Sequence, residues 1–267
     1  MIQLARASLG RYSVTGLYQG AVGLRNYTRL FAQDALPVVV LNTVVWVTAI
    51  VGVTIVISLA LAQLLNARFP GRRLVRWALI VPWAASLIMT SKLFAWIYDY
   101  YFGLLNPLLR SLGIITRPVD WLGEDATVMG AMIAVGVFVS LPFTTYVLLA
   151  GLSSISGDVY EAARVDGASG WRTYRSVTLP LLRPALLVAV VLNVIYVFNS
   201  FPIVWTLNDR NPGFAHDTLI TYMYKIAFKS ALRDVGMAAA LGVLNVGVIL
   251  LAVVVYLRTV RWGEEVA

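Results

Sequence analysis

The stretch from Gly157 to Pro180 holds the densest group of residues that could bind a partner protein. Asp158 lies three residues before Glu161, which is the spacing of a capping box and predicts a helix that begins at Val159. Gly167 is expected to end this helix, because glycine adopts the left-handed conformation at little cost. The sequence therefore predicts a short charged helix outside the apolar parts of the chain.

A second short helix is predicted over Ser169–Ser176, and Pro180 marks the return to the next apolar stretch. Ala162 and Ala163 keep one side of the first helix small enough for another backbone to approach closely. The residue pattern leaves two interpretations open at this point. The loop is a docking surface for a partner, or it is a tight connector in which Glu161 only caps its helix.

Residues for catalysis or metal binding are scarce. The chain has no cysteine and one histidine, His216, and it contains neither an HExxH pattern nor a GxSxG pattern, so no catalytic or metal-binding residues are expected. A GxxxxGK[ST] phosphate loop is also absent, which argues against nucleotide binding by this chain alone. We therefore expect that the protein is not itself an enzyme.

Composition identifies an integral membrane protein. Only 13% of the 267 residues are charged and 60% are hydrophobic, which leaves too little polar surface for a water-soluble fold. The apolar stretches show no strand-like alternation, and a helix needs about 20 residues to cross the bilayer core. An all-α membrane protein is predicted, with a single transmembrane domain over residues 1–267. Its five predicted transmembrane helices are 38–65, 75–98, 126–152, 184–208 and 235–257.

The arginines in the loops predict the orientation. Residues 66–76 contain Arg68, Arg72, Arg73 and Arg76 without any acid, and the loop 153–183 contains four more arginines. By the positive-inside tendency both loops are cytoplasmic. The loop 99–125 and the N-terminal segment 1–37 then lie on the outer face, the latter as a loop or a surface-lying segment. The net charge of +8 is thus explained by topology, and no nucleic-acid partner is expected.

Glu161-Ala162-Ala163, followed by Gly167 and then by Leu179-Pro180, resembles the EAA loop in permease subunits of binding-protein-dependent ABC importers. The amino-acid sequence from Tyr160 to Ser169 is similar to that of the carbohydrate-importing, maltose-permease-like branch of that family. Shorter patches, such as Pro82-Trp83, follow in the expected order, so the resemblance covers about residues 24–258. The residues that it assigns to the ATPase-coupling loop are Asp158, Tyr160, Glu161, Ala162, Ala163, Asp166, Gly167, Leu179 and Pro180.

The resemblance implies a transporter complex of several subunits. The loop would be a coupling helix that docks into a cleft of an ATP-hydrolysing subunit. ATP and Mg would be bound by that subunit, and this chain would hold no cofactor. The implied partners are ABC ATPase subunits, a second homologous permease subunit, an extracytoplasmic solute-binding protein and the lipid bilayer of a prokaryotic inner membrane.

The N-terminus departs from the family pattern. The sequence Gly-Leu-Arg-Asn-Tyr at residues 23–27 resembles another segment that recurs in this branch. Members of the branch have six or more membrane helices, and the first of them precedes this segment. The longest uncharged run before that segment, residues 12–24, has 13 residues and is too short to span. A first helix ahead of residue 1 is therefore expected in the longer protein, and it would also explain a basic segment on the outer face.

Polar residues inside the predicted spans mark a candidate substrate pathway. Asn193, Tyr196 and Ser200 follow helical spacing and share one face of the fourth span. Ser140 and Phe143 lie in the third span. Aligned from the EAA loop, the sugar-contacting positions of maltose-type permeases fall in the third and fourth spans. Hydrogen bonds between helices explain the same residues equally well. The candidate pathway residues are Ser140, Phe143, Asn193, Tyr196, Asn199 and Ser200.

The predicted function is that of a permease subunit which translocates a sugar or a sugar-like solute, driven by ATP hydrolysis in partner subunits. In one alternative, the same kind of ABC importer carries glycerol-phosphate esters instead of a sugar. Another is an autonomous channel or secondary transporter. The second alternative would require acidic residues for ion coupling, and no Asp or Glu lies within any predicted span.

Overall fold

The computed structural model describes residues 1–67, 69–209, 211, 213–229 and 233–262, without the side chains of Pro82 and residues 259–262. Arg68, which supported the predicted orientation, lies outside the described residues. The first half of the chain contains α1 (Ile2–Ser8), β1 (Gly10–Tyr12), β2 (Tyr18–Ala21), α2 (Arg25–Phe31), α3 (Leu36–Asn66), α4 (Arg72–Trp83), α5 (Leu87–Ile97), α6 (Leu105–Ser111) and α7 (Asp125–Ser153). The second half contains α8 (Gly157–Val165), α9 (Gly170–Thr173), a π-helical turn (Tyr174–Thr178), α10 (Leu179–Leu181), α11 (Arg183–Phe198), α12 (Phe201–Leu207), α13 (Leu219–Tyr224), a second π-helical turn (Lys225–Lys229) and α14 (Val235–Trp262).

Within the described part of the chain, three helices are each long and apolar enough to cross a membrane. They are α3, α7 and α14, and each is close to a predicted span. The α3–α7 pair forms the centre of the fold, where Trp46 and Ile50 are buried. Gly136 allows the two helices to approach closely, because a Cβ at this position would collide with the Ile50 side chain.

Two of the predicted spans are each divided into two helices, which corrects the prediction of continuous helices there. In the second span, α4 and α5 are separated at Ser86, whose backbone is extended. In the fourth span, α11 ends before Ser200 and α12 begins at Phe201. Pro202 explains the second break, because it has no N–H to donate to the carbonyl four residues earlier.

The N-terminal segment has regular structure, which the prediction of a loop or surface-lying segment missed. Helix α1 leads into the antiparallel β1–β2 hairpin, and α2 follows. The buried Asn26 ties these elements together, since its Nδ2 donates to the carbonyl oxygens of Ser8 and Gly10, both at 2.8 Å. Arg29 Nη1 lies 2.6 Å from Asp234 Oδ2, which joins the segment to the start of α14.

Candidate functional site

The helix at the centre of the predicted coupling loop is α8, and it begins differently from the prediction. Ser156 is its N-cap, with extended backbone at ψ 142°. Its Oγ accepts a hydrogen bond from the N–H of Asp158 at 3.3 Å. The capping box predicted for Asp158 and Glu161 is therefore wrong, because a serine two residues earlier caps the first turn.

The end of α8 agrees with the prediction. Gly167 has φ +71°, which is the left-handed conformation. Its N–H donates to the carbonyl of Arg164, and the N–H of Ala168 donates to the carbonyl of Ala163, both at 3.0 Å. This pair of bonds is a Schellman motif, and it fixes the direction in which the chain leaves α8.

Helix α8 projects from the fold and buries none of its residues. Glu161, Ala162 and Asp158 are exposed, as are Asp166 and Gly167 beyond the helix end, whereas Tyr160 and Ala163 are partly buried. Glu161 has no hydrogen-bond or ion-pair partner among the described residues. The interpretation that Glu161 only caps its helix therefore finds no support, and its carboxylate is available to a partner.

Two exposed apolar side chains flank this charge. Val165 is 88% exposed at the end of α8, and Trp171 is 70% exposed in α9. The Trp171 ring lies 5.8 Å from that of Tyr174, and partial burial raises the pKa of the Tyr174 phenol. Exposed aromatic rings such as Trp171 are enriched in protein–protein interfaces, so this face of the loop is a candidate docking surface.

The return from α8 to the membrane is longer than predicted. The second helix was expected to end at Ser176, but helical structure continues through the π-helical turn and α10 to Leu181. Leu179 and Pro180 form the first turn of α10, where the missing N–H of proline is tolerated. The run Gly170–Leu181 meets α11 at an angle of 65°. Movement of the loop would therefore act on the base of α11.

A pocket of about 250 Å³ lies between α4, α7 and α11, and we call it the central pocket. Four of the six predicted pathway residues line it, namely Ser140, Phe143, Asn193 and Tyr196. Asn193 is 2% exposed, and its Nδ2 donates to Thr144 Oγ1 at 3.2 Å. Ser140 is 4% exposed, and its Oγ has no hydrogen-bond partner. The pocket thus combines three aromatic rings with polar groups that retain bonding capacity.

Asn199 and Ser200 lie outside the central pocket, at the break between α11 and α12. Asn199 is exposed, and its Nδ2 donates to the carbonyl of Ile195 at 2.8 Å. Ser200 is buried, and its Oγ has no hydrogen-bond partner. The helical spacing that grouped Ser200 with Asn193 and Tyr196 does not apply, because the helix ends before Ser200.

Trp83 is a lining residue of the central pocket that the set of pathway residues omitted. It ends α4, immediately before the break in the second span. The Pro82-Trp83 patch was noticed in the sequence only as a family resemblance. The break that brings Trp83 to α7 and α11 is not visible in the hydropathy of the segment.

No group of three or more His, Asp or Glu side chains that could hold a metal ion occurs in the described residues. His216 instead pairs with Asp125, with 2.8 Å between Nε2 and Oδ1. This pair links the end of a loop to the first turn of α7, and we interpret it as structural.

Residues 35–261 match the family described as binding-protein-dependent transport system inner membrane component. The chain belongs to this family. It is a permease subunit of a binding-protein-dependent ABC importer, it is located in the inner membrane, and it is a transport subunit rather than an enzyme. Membership does not favour the autonomous channel or the secondary transporter that the sequence had left open.

Named relatives and a solved structure agree with this assignment. The chain is 42% identical to a probable ABC transporter permease of Brucella suis over 90% of this chain and 82% of that protein. It is 36% identical to a trehalose/maltose transport system permease of Thermococcus litoralis over 91% of this chain and 81% of that protein. A bacterial ABC transporter involved in alginate import has the same fold, with a TM-score of 0.78 at 23% identity, over 91% of this chain and 85% of that chain.

Proposed function

We propose that this permease subunit translocates a neutral saccharide, which it holds transiently in the central pocket. The observation that carries the proposal is the lining of that pocket. Tyr196, Phe143 and Trp83 supply aromatic faces, and Asn193 and Ser140 supply hydrogen-bonding groups. Apolar walls with a few convergent polar groups are typical of small-molecule sites. The relative from Thermococcus litoralis, whose name specifies trehalose and maltose, supports the same cargo class.

Energy for transport comes, in this proposal, from ABC ATPase subunits that dock on α8. Their contact region consists of the coupling-loop residues predicted from the sequence, with the Glu161 carboxylate and the apolar Val165 at its centre. ATP and Mg are bound by those subunits. A second homologous permease closes the other side of the pathway, and an extracytoplasmic binding protein delivers the saccharide.

The bent connection gives the docked loop a mechanical route to the pocket. A shift of α8 and α9 is transmitted through α10 to α11, which carries Asn193 and Tyr196. The breaks at Ser86 and Ser200 allow the outer parts of the two divided spans to move separately. The pocket can then open alternately to the two sides of the membrane.

Reconstitution tests this proposal. The complex is purified from its own membranes with a tag on this chain, and its subunits are identified by mass spectrometry. Proteoliposomes containing ATP and the co-purified binding protein are assayed for uptake of labelled trehalose, maltose, xylose and glycerol 3-phosphate. We expect ATP-dependent uptake of at least one neutral saccharide. Uptake of glycerol 3-phosphate alone, or of no saccharide, would contradict the cargo assignment.

A further inference from the structure

Two further cavities lie along the same two divided spans as the central pocket. One cavity of about 260 Å³ lies between α5 and α12, and a second of about 360 Å³ lies between α12, α13 and the loop between them. The two cavities share Trp205 and Asp209 and therefore adjoin each other. We call them together the outer groove. Its main lining residues are Lys92, Phe201, Trp205, Asp209, Lys225 and Lys229.

The position of the outer groove follows from residue spacing. Trp83 in the central pocket and Lys92 in the groove are nine residues apart, and so are Tyr196 and Trp205. Each of these intervals crosses the break at Ser86 or at Ser200, so the groove follows the central pocket along both divided spans. Helix α5 continues into the loop that the arginine distribution places on the outer face. The groove therefore lies on the outer side of the central pocket.

Aromatic rings build one wall of the groove. The Phe201 and Trp205 rings are stacked, with centroids 5.4 Å apart and planes within 15°. Tyr224 meets both rings, at 5.0 Å from Phe201 and 4.8 Å from Trp205. These contacts hold the Trp205 ring in place as a rigid platform. Saccharides stack their C–H faces on such platforms, because the ring face is apolar and carries a negative quadrupole.

Two charged groups of opposite sign face the same cavity. Lys92 and Asp209 are both exposed, and neither has a hydrogen-bond or ion-pair partner among the described residues. Together they provide a strong donor and a strong acceptor, which suits a hydroxyl-rich ligand.

Unlike Lys92, Lys225 is held in place by several contacts. Its Nζ lies 2.7 Å from the buried carboxylate of Asp217 and donates to the carbonyl of Gly213 at 2.7 Å. The same Nζ lies 5.7 Å from the centre of the Phe214 ring. Asn208 Nδ2 donates to the other carboxylate oxygen of Asp217 at 3.2 Å. This network fixes the floor of the groove, whereas Lys92, Asp209 and Lys229 have no hydrogen-bond or ion-pair partner among the described residues.

We propose that the outer groove is a second saccharide-binding site, in which one sugar ring stacks on Trp205 and its hydroxyls bond to Lys92 and Asp209. This inference rests on the proposed saccharide cargo. The site holds solute released on the outer side before it enters the central pocket. It also explains an intramembrane lysine that otherwise only extends toward the lipid headgroups.

Cysteine protection tests the site directly, since the natural chain contains no cysteine. Thr206→Cys places a thiol in the groove, and Thr15→Cys places one on the exposed hairpin as a control. The assembled complex is labelled with an impermeant methanethiosulfonate, in nucleotide-free and ATP-trapped states. The saccharide taken up in the reconstitution assay should slow labelling at position 206 by about tenfold at about ten times its half-saturating concentration. Labelling at position 15 should not change.

Trp205→Leu should raise the half-saturating saccharide concentration for protection and for uptake by about tenfold. Trp205→Phe should retain most of the affinity. Trp77→Leu is the matched control, because Trp77 is exposed on α4 and lines none of these cavities. Normal complex yield of each variant shows that folding is intact.

Three results would overturn the second site. Saccharide uptake without protection at position 206 would refute the site and leave the proposed cargo standing. A cysteine at 206 that stays unreactive in both nucleotide states would show that another subunit fills the groove. Equal effects of Trp205→Leu and Trp77→Leu would show a general packing defect. Absence of uptake of any saccharide would instead refute the cargo proposal and this inference together.

Discussion

The coupling loop and the central pocket are built in opposite ways. Helix α8 buries none of its residues and is closed at both ends by its own short-range hydrogen bonds, from Ser156 and through Gly167. The central pocket exists only where α4, α7 and α11 meet. The loop is thus a self-contained element attached to the fold, whereas the pocket is a product of packing. Changes in the loop should affect coupling without disturbing the membrane helices, and changes in the pocket should affect solute affinity.

The largest effect is expected from Glu161→Lys. Reversing an unpaired charge in the docking patch should lower ATP-dependent uptake by roughly 30-fold or more, because truncating one partner of a close interfacial charge pair already costs that much. ATPase activity should no longer respond to the loaded binding protein. Uptake by proteoliposomes measures the loss of transport. Circular dichroism of the purified complex shows whether the helical fold is intact.

The matched control is Asp34→Lys, which reverses an exposed acid in the segment between α2 and α3. It should leave uptake near the wild-type value. Unchanged uptake in Glu161→Lys, or equal loss in both variants, would remove the docking role from α8.

Gly167→Val is expected to rank second. A β-branched residue at φ +71° is strained by about 1–2 kcal/mol, and the Schellman motif that directs the chain away from α8 would be weakened. The yield of ATPase subunit that co-purifies with the tagged chain should fall severalfold. Gly157→Ala is the control, because a Cβ there meets open space and its φ is not positive. Similar yields from the two variants would contradict the prediction.

The double variant Asn193→Ala with Ser140→Ala tests the central pocket. Loss of two hydrogen-bonding groups should raise the half-saturating solute concentration by about tenfold, at about 0.5–1.5 kcal/mol for each bond. Complex yield should be unchanged. The comparison variant Asn199→Ala, outside the pocket, should have little effect. If complex yield falls as much as affinity, the pocket residues only hold the helices together.

The smallest effect is expected from Ser156→Ala. Removing the N-cap hydroxyl should destabilise α8 by about 1 kcal/mol. Faster amide hydrogen exchange in residues 158–160 would report this local loosening, with uptake reduced by less than about threefold. Loss of exchange protection in α7 or α11 would show that α8 is more strongly coupled to the membrane helices than its exposure suggests.

Residues near one another in the chain carried the most accurate sequence predictions. The end of α8 at Gly167 was predicted because glycine adopts the left-handed conformation at little cost, and the structure confirms it. The start of α8 was misassigned because Asp158 and Ser156 are both good N-caps two residues apart. Apolar length located α3, α7 and α14, but it could not show that Ser86 and Ser200 divide the other two spans.

The sequence by itself determined the class of protein, because a bilayer requires long uncharged helices and the EAA loop depends on neighbouring residues. It also placed the exposed helix α8 and four residues of the central pocket. Only the tertiary structure decided that Trp83 joins this pocket, that Ser200 leaves it, and that Lys92 faces Trp205 and Asp209 across the outer groove. These relations join residues far apart in the chain. They depend on where two helices break and on how the pieces then pack. Pro202 explains one break locally, but packing against α7 decides which residues meet.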